Sequence, residues 1–234
     1  MNPRTDLAPQ IAGIVGPTCR AVILHGSLAS GGFRPGHSDV DLLVVVNEPL
    51  TDARADSLTD HLSSADLGDA AGLDVDVVTA AVARHPTPAP PLELHVSLNP
   101  TEIERGVPTA PDLPAELSIA KQDGITLYGD PAVLAPVPAE WVIARGRHWL
   151  NTWQSLTDDE PHAAFMVLTA CRIWHFAATG VHAPKARAAR WALTRSPSLT
   201  AIDQALQQYE GRRATVVEEP AIAAVLEEAL RRTG

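Results

Sequence analysis

Hydrophobic and polar positions along this chain follow two different rhythms. Ala21-Val-Ile-Leu24 is a short apolar run of buried-strand type, and Gly26-Ser27 just beyond it marks a turn into a helix. Asp39–Val46 reads as a second strand, rich in β-branched residues and bounded by Asn47-Glu-Pro49. Thr51–Asp66 has helical composition, with Thr51 placed to cap it. Leu73-Asp-Val-Asp-Val-Val78 alternates, with Leu73, Val75 and Val77 on one face and Asp74 and Asp76 on the other. Leu92-Glu-Leu-His-Val-Ser-Leu98 alternates again and sets Glu93, His95 and Ser97 on one side. Beyond Gly129, with Pro131, Pro136 and Pro138 as punctuation, the strand pattern gives way to helical segments. These cover 139–155, 162–178, 184–194, 199–209 and 216–232, Pro184 being expected in the first turn of its helix. The predicted fold is α+β: a mixed sheet with flanking helices over residues 1–136, then a helical bundle over 137–234.

Composition narrows the setting. A chain of 234 residues, 45% hydrophobic and 20% charged, can bury a substantial core. Cys19 and Cys171 are far apart, which argues against structural zinc and fits a reducing compartment. The polar start Met-Asn-Pro-Arg-Thr-Asp does not read as a signal peptide, and no apolar run reaches the roughly 20 residues of a membrane span. A cytoplasmic protein with no membrane partner is expected. Residues 1–136 carry 7 Lys/Arg against 18 Asp/Glu, a net of −11; residues 137–234 carry 11 against 10, a net of +1. An acidic amino-terminal half disfavours nucleic acid as a partner and suits a small cationic molecule.

The chemistry concentrates between His25 and Val46. Strand periodicity puts Asp39 and Asp41 on one face, about 6.6 Å apart along the backbone. Magnesium favours such oxygen ligands and sits between carboxylates and substrate phosphates. Gly26 and Ser27, at a turn into a helix, offer backbone N–H groups and a hydroxyl to a phosphate. A third carboxylate from the neighbouring strand, Asp74 or Asp76, completes a site for a Mg-nucleotide.

Gly-Ser, a glycine-rich spacer, then Ser38-Asp-Val-Asp-Leu-Leu-Val-Val-Val46, resembles the signature of the polymerase-β-type nucleotidyltransferase superfamily. Arg172-Ile-Trp-His-Phe-Ala-Ala-Thr-Gly-Val-His-Ala-Pro-Lys185, Trp191-Ala-Leu and Tyr209-Glu-Gly resemble the aminoglycoside (3'')(9) adenylyltransferases, which act on streptomycin and spectinomycin. The likeness runs from about Ala21 to Gly211 and includes Leu127-Tyr-Gly.

The resemblance implies residue roles. Asp39 and Asp41 would bind one or two Mg²⁺, with ATP as co-substrate. Ser27, or Ser38 as second candidate, would contact the phosphates beside Gly26. Arg172 and Lys185 would reach the phosphates from the helical domain, Tyr209 would lie near adenine, and Trp153 and Asp158 would line the aminocyclitol pocket. Asp74 stands where the family has a glutamate general base, and Asp76 on the same face is the alternative. The loop between Ser27 and Ser38 is one residue longer than usual, at Gly36. Asn99 and His162 replace a tryptophan and an aspartate of streptomycin-modifying members, so the pattern resembles spectinomycin-restricted ones. The implied activity is transfer of AMP from MgATP to a hydroxyl of an aminocyclitol or aminoglycoside, by a monomer, in a cleft between the domains. The alternatives are nucleotidyl transfer to another metabolite or a protein, or an impaired homologue that binds ATP or drug without turnover.

Overall fold

The computed structural model describes residues 3–157, 162–211 and 217–234. The chain divides into two units, Met1–Val137 and Pro138–Gly234. The first is built on a six-stranded mixed sheet of β1 (Cys19–His25), β2 (Val40–Val46), β3 (Leu73–Thr79), β4 (Leu92–Leu98), β5 (Glu102–Val107) and β6 (Ile125–Gly129). The strand order is β5-β4-β3-β2-β1-β6. Only β2 and β3 are parallel; every other pairing is antiparallel. A parallel pair needs a crossover, which α3 (Asp52–Ser63) supplies.

The sheet is covered on both faces, which is why β1 and β2 are apolar at nearly every position instead of alternating. On one side α1 (Pro3–Val15) and α3 bury Leu7, Ile11, Val15, Leu58 and Leu62 against Val22, Val44, Val75 and Leu94. On the other, α4 (Ala80–Arg84) and α5 (Leu113–Asp123) pack Val82, Leu113, Leu117 and Ala120 against Ala21, Ile23, Leu43, Val45 and Val78. That second apolar layer reaches only part of the way along the strands, and the site begins where it stops.

The alternating strands and the helix after Asn47 appear as read, β2 starting at Val40 and leaving Asp39 just ahead of it. Thr51 is the N-cap of α3, but its side chain makes no capping hydrogen bond. The helices and strands without a sequence expectation are α1, α4, β5, α5 and β6. β5 is an edge strand, Glu-Ile-Glu-Arg-Gly-Val, exposed at all but its last residue, so it shows no buried periodicity and is held by backbone pairing to β4.

The second unit is helical: α6 (Ala139–Trp153), α7 (Ala163–Thr179), α8 (Lys185–Arg195), α9 (Thr200–Tyr209) and α10 (Glu219–Arg232). Its core gathers around α7, whose Met166, Val167, Leu168, Cys171 and Trp174 are all buried. Pro184 is the N-cap of α8 and not a first-turn residue, its backbone being extended at φ −55° and ψ 149°. Glu228 is buried on α10, where Arg231 and Arg232 pair with it and Ser196 donates a hydrogen bond to it. Among the described residues no helix is long and apolar enough to cross a membrane.

Candidate active site

The register of the sheet aligns polar residues into rows. His25 pairs with Asp41, Asp41 with Asp74, Asp74 with Ser97, and Ser97 with Glu102, one row crossing five strands. Two residues along β3, the next row carries Leu43, Asp76, His95 and Glu104. Adjacent strands lie about 4.8 Å apart, so Asp41 and Asp74 are immediate neighbours. Further along the same face Val45 and Val78 belong to the apolar layer. The sheet face therefore changes from oily to acidic within two residues, and that boundary locates the site.

The turn after β1 shapes it. Gly26 has φ +64°, and a Cβ there would fall 2.0 Å from Asp41 Oδ2, so only glycine lets the backbone run over that carboxylate. Gly26 opens α2 (Gly26–Ala29), with His25 as its N-cap. The Ser27 hydroxyl, one residue on, is buried without a hydrogen-bond partner. Most buried hydroxyls have a hydrogen-bond partner, which sets Ser27 apart. Ser38 differs: its Oγ accepts a hydrogen bond from the Arg34 N–H at 3.1 Å and ties off the loop. Gly36, at φ +71°, is anchored by its N–H to the Asp69 carbonyl at 2.6 Å. Asp39 lies against Gly72, where a Cβ would stand 2.6 Å from its Oδ1.

Over these rows lies a cavity of about 520 Å³. Asp41, Asp74 and Asp76 line it from the central strands; Glu102, Glu104, Asp112 and Glu116 line it from β5 and α5, with no Lys or Arg among the described lining residues. Two histidines face this acidity with pKa values displaced in opposite directions. His95 Nδ1 lies 2.8 Å from Asp76 Oδ1, and that hydrogen bond raises its pKa above the ordinary value against the effect of burial. His25 is 3% exposed, and burial pushes it down to about 4 although the Asp76 charge pulls the other way. The residue pattern sets His95 on a face without a role and singles out neither His25 nor Glu116. The signal for His25 was its place immediately before Gly26.

In the second unit, three of the expected residues meet around an unexpected one. Lys185 Nζ sits 5.0 Å from the centre of the Phe165 ring and 6.0 Å from that of Tyr209. Trp153 meets Phe165 edge-on at 5.9 Å and stacks on Trp149 at the same distance. Phe165 is 48% exposed although large and apolar, whereas Trp153 is buried in the core. Arg172 is close enough to His182 for its charge to add to the burial that lowers that histidine to about 4. His162 caps α7, and Asn99 donates its side-chain amide to the Ala71 carbonyl at 2.9 Å. Asp158 lies outside the described residues.

This architecture has known counterparts. A nucleotidyltransferase domain model matches residues 19–104, and an aminoglycoside adenylyltransferase C-terminal domain model matches residues 132–232. An aminoglycoside (3'')(9) adenylyltransferase from Shigella flexneri is 31% identical over 230 residues, spanning 88% of this chain and 87% of the relative. The chain belongs to the aminoglycoside (3'')(9) adenylyltransferase family. Within that family's range it is also similar to a spectinomycin 9-adenylyltransferase from Staphylococcus aureus, 29% identical over 217 residues and covering 86% of this chain and 82% of that one. The adenylyltransferase fold extends to a spectinomycin adenyltransferase from Enterococcus faecialis, solved with ATP and spectinomycin. Its TM-score is 0.76 at 21% identity, with 98% of each chain covered. The resemblance in the sequence and the α+β architecture are thus both shown.

Proposed function

We propose that this adenylyltransferase moves AMP from MgATP to a hydroxyl of an aminocyclitol or aminoglycoside, most closely of the spectinomycin type, and releases pyrophosphate. The observation that carries the reading is the orphaned Ser27 hydroxyl beside Gly26, itself pressed over the Asp41 carboxylate. A serine hydroxyl and turn N–H groups next to a carboxylate suit a phosphate that shares a cation with that carboxylate. Among the described residues no three His, Cys, Asp or Glu side chains are gathered to hold a metal by themselves. The Asp39 and Asp41 carboxylates suit Mg²⁺, which completes its shell with substrate phosphates and water.

Asp39 and Asp41 would hold the ion, and when bound it neutralises charge on the phosphate oxygens. Ser27 binds the triphosphate, and Arg172 and Lys185 add the positive charge that grows more valuable as pyrophosphate departs. Tyr209 packs near the base, and Trp153 and Asp158 belong to the acceptor side. Asp74 takes the proton of the attacking hydroxyl as its oxygen bonds to the α-phosphorus and the bond to pyrophosphate breaks. Asp76 serves this role less well because its Oδ1 already bonds His95. The acidic cavity concentrates a cationic acceptor. Residues 1–136 are the nucleotidyltransferase domain and residues 137–234 the helical domain, and the enzyme works as a cytoplasmic monomer.

The test is coupled pyrophosphate release with MgATP and a panel of spectinomycin, streptomycin and other aminoglycosides. Release that depends on spectinomycin supports the reading; none with any acceptor overturns it.

A further inference from the structure

We propose that His25 and Glu116 form a grip for one protonated amine of the acceptor, and so set which acceptors this cavity admits. The inference rests on reading the cavity as the acceptor site. His25 closes β1, lines the cavity, and has a side chain only 4% exposed. Its Nδ1 is buried without a hydrogen bond. A carboxylate oxygen, Glu116 Oε2 on α5, is 3.7 Å away, beyond hydrogen-bonding distance. The two atoms face one another across a gap that neither closes.

A nitrogen placed about 2.9 Å from both atoms spans that gap with ordinary hydrogen bonds. An ammonium suits both partners, donating one proton to the carboxylate and one to a neutral imidazole nitrogen. Nδ1 accepts when the ring carries its proton on Nε2. The surroundings select the charge: Asp41 pairs with His25 across the sheet, and Asp74 and Asp76 line the same cavity. A hydroxyl satisfies the geometry but leaves the excess negative charge uncompensated. A phosphate that brings no cation is repelled by these carboxylates.

The experiment is steady-state kinetics of His25→Phe and Glu116→Gln with spectinomycin and MgATP, and of Glu48→Gln, an exposed carboxylate in the turn after β2, as a charge control. Each of the first two should raise the KM for spectinomycin about tenfold or more, the range for one charge-assisted hydrogen bond. The KM for MgATP and kcat should stay within about twofold, and the double variant should raise the spectinomycin KM by less than the product of the two single effects, since both partners hold the same ammonium. Glu48→Gln should match wild type. Glu116 is partly exposed, so Glu116→Gln decides the matter alone if His25→Phe does not fold. A spectinomycin KM within twofold of wild type in Glu116→Gln overturns the inference. So does an equal rise in the KM for MgATP, which would assign the pair to the nucleotide. A wild type that modifies no acceptor defeats the functional reading and this inference together, and is distinguishable from an active wild type whose variants do not differ.

Discussion

Gly26→Ala separates backbone strain from damage to the site. Gly26 and Gly31 have nearly the same left-handed backbone, φ +64° and +75°, within one short segment. An alanine at either position costs about 1–2 kcal/mol in that conformation. With about 2–4 °C lost per kcal/mol in a chain of this size, each variant should melt about 2–8 °C lower. The difference lies in what the new methyl meets. At Gly31 nothing lies within 4 Å, whereas at Gly26 it would stand 2.0 Å from Asp41 Oδ2 and 2.5 Å from its Cγ. The Asp41 carboxylate must retreat by about 1 Å or more to reach ordinary contact, and such a displacement of an active-site group costs on the order of 100-fold in rate. Thermal melting and spectinomycin-dependent pyrophosphate release should be measured on both variants. Similar melting losses with turnover collapsing only in Gly26→Ala are expected. If Gly26→Ala turns over like wild type, or Gly31→Ala fails equally, the carboxylate under Gly26 does not have the role given to it.

Asp74→Asn should lower kcat by about 100-fold or more with the KM for MgATP nearly unchanged, while Asp76→Asn should lose less; the reverse order in single-turnover rates would move the base to Asp76. Gly72→Ala would bring a methyl to 2.3 Å from the Leu98 carbonyl and 2.6 Å from Asp39 Oδ1, so both melting temperature and MgATP affinity should fall, and a variant with normal affinity would contradict the place given to Asp39. Acid should destabilise the fold through His25 and His182, each lowered from 6.5 to about 4. Their unfolded forms bind protons first, so their stabilisation is complete above about pH 6.5 and is lost as pH falls toward 4, about 2 kcal/mol for each by pH 5. His95, raised by Asp76, works in the opposite sense: its contribution is present at low pH and fades as pH rises through its folded pKa. Urea midpoints should fall between pH 7 and 5, and a flat profile would contradict burial of neutral imidazoles.

The strands that carry chemistry could be read directly from their residues. Leu73, Val75 and Val77 are buried and Asp74 and Asp76 are not, because the pleat leaves alternating side chains no other arrangement. The pairing could not be read. That Asp41 lies beside Asp74, with His25 on one side and Ser97 on the other, depends on long-range register that no local pattern states. For the same reason the Asp76–His95 bond and the gap between His25 and Glu116 emerge only from the fold. β5 escaped notice because an exposed edge needs no apolar face, yet it brings Glu102 and Glu104 to the cavity. Phe165 reads as ordinary apolar helix, and only its exposure and its contact with Lys185 set it apart.

The most direct measurement is the mass of spectinomycin after incubation with the protein, ATP and Mg²⁺, alongside an Asp41→Asn sample. The account predicts a gain of one AMP per spectinomycin with wild type and none with the variant. Unmodified spectinomycin with wild type, or an adenylylated product that forms equally with Asp41→Asn, would contradict it.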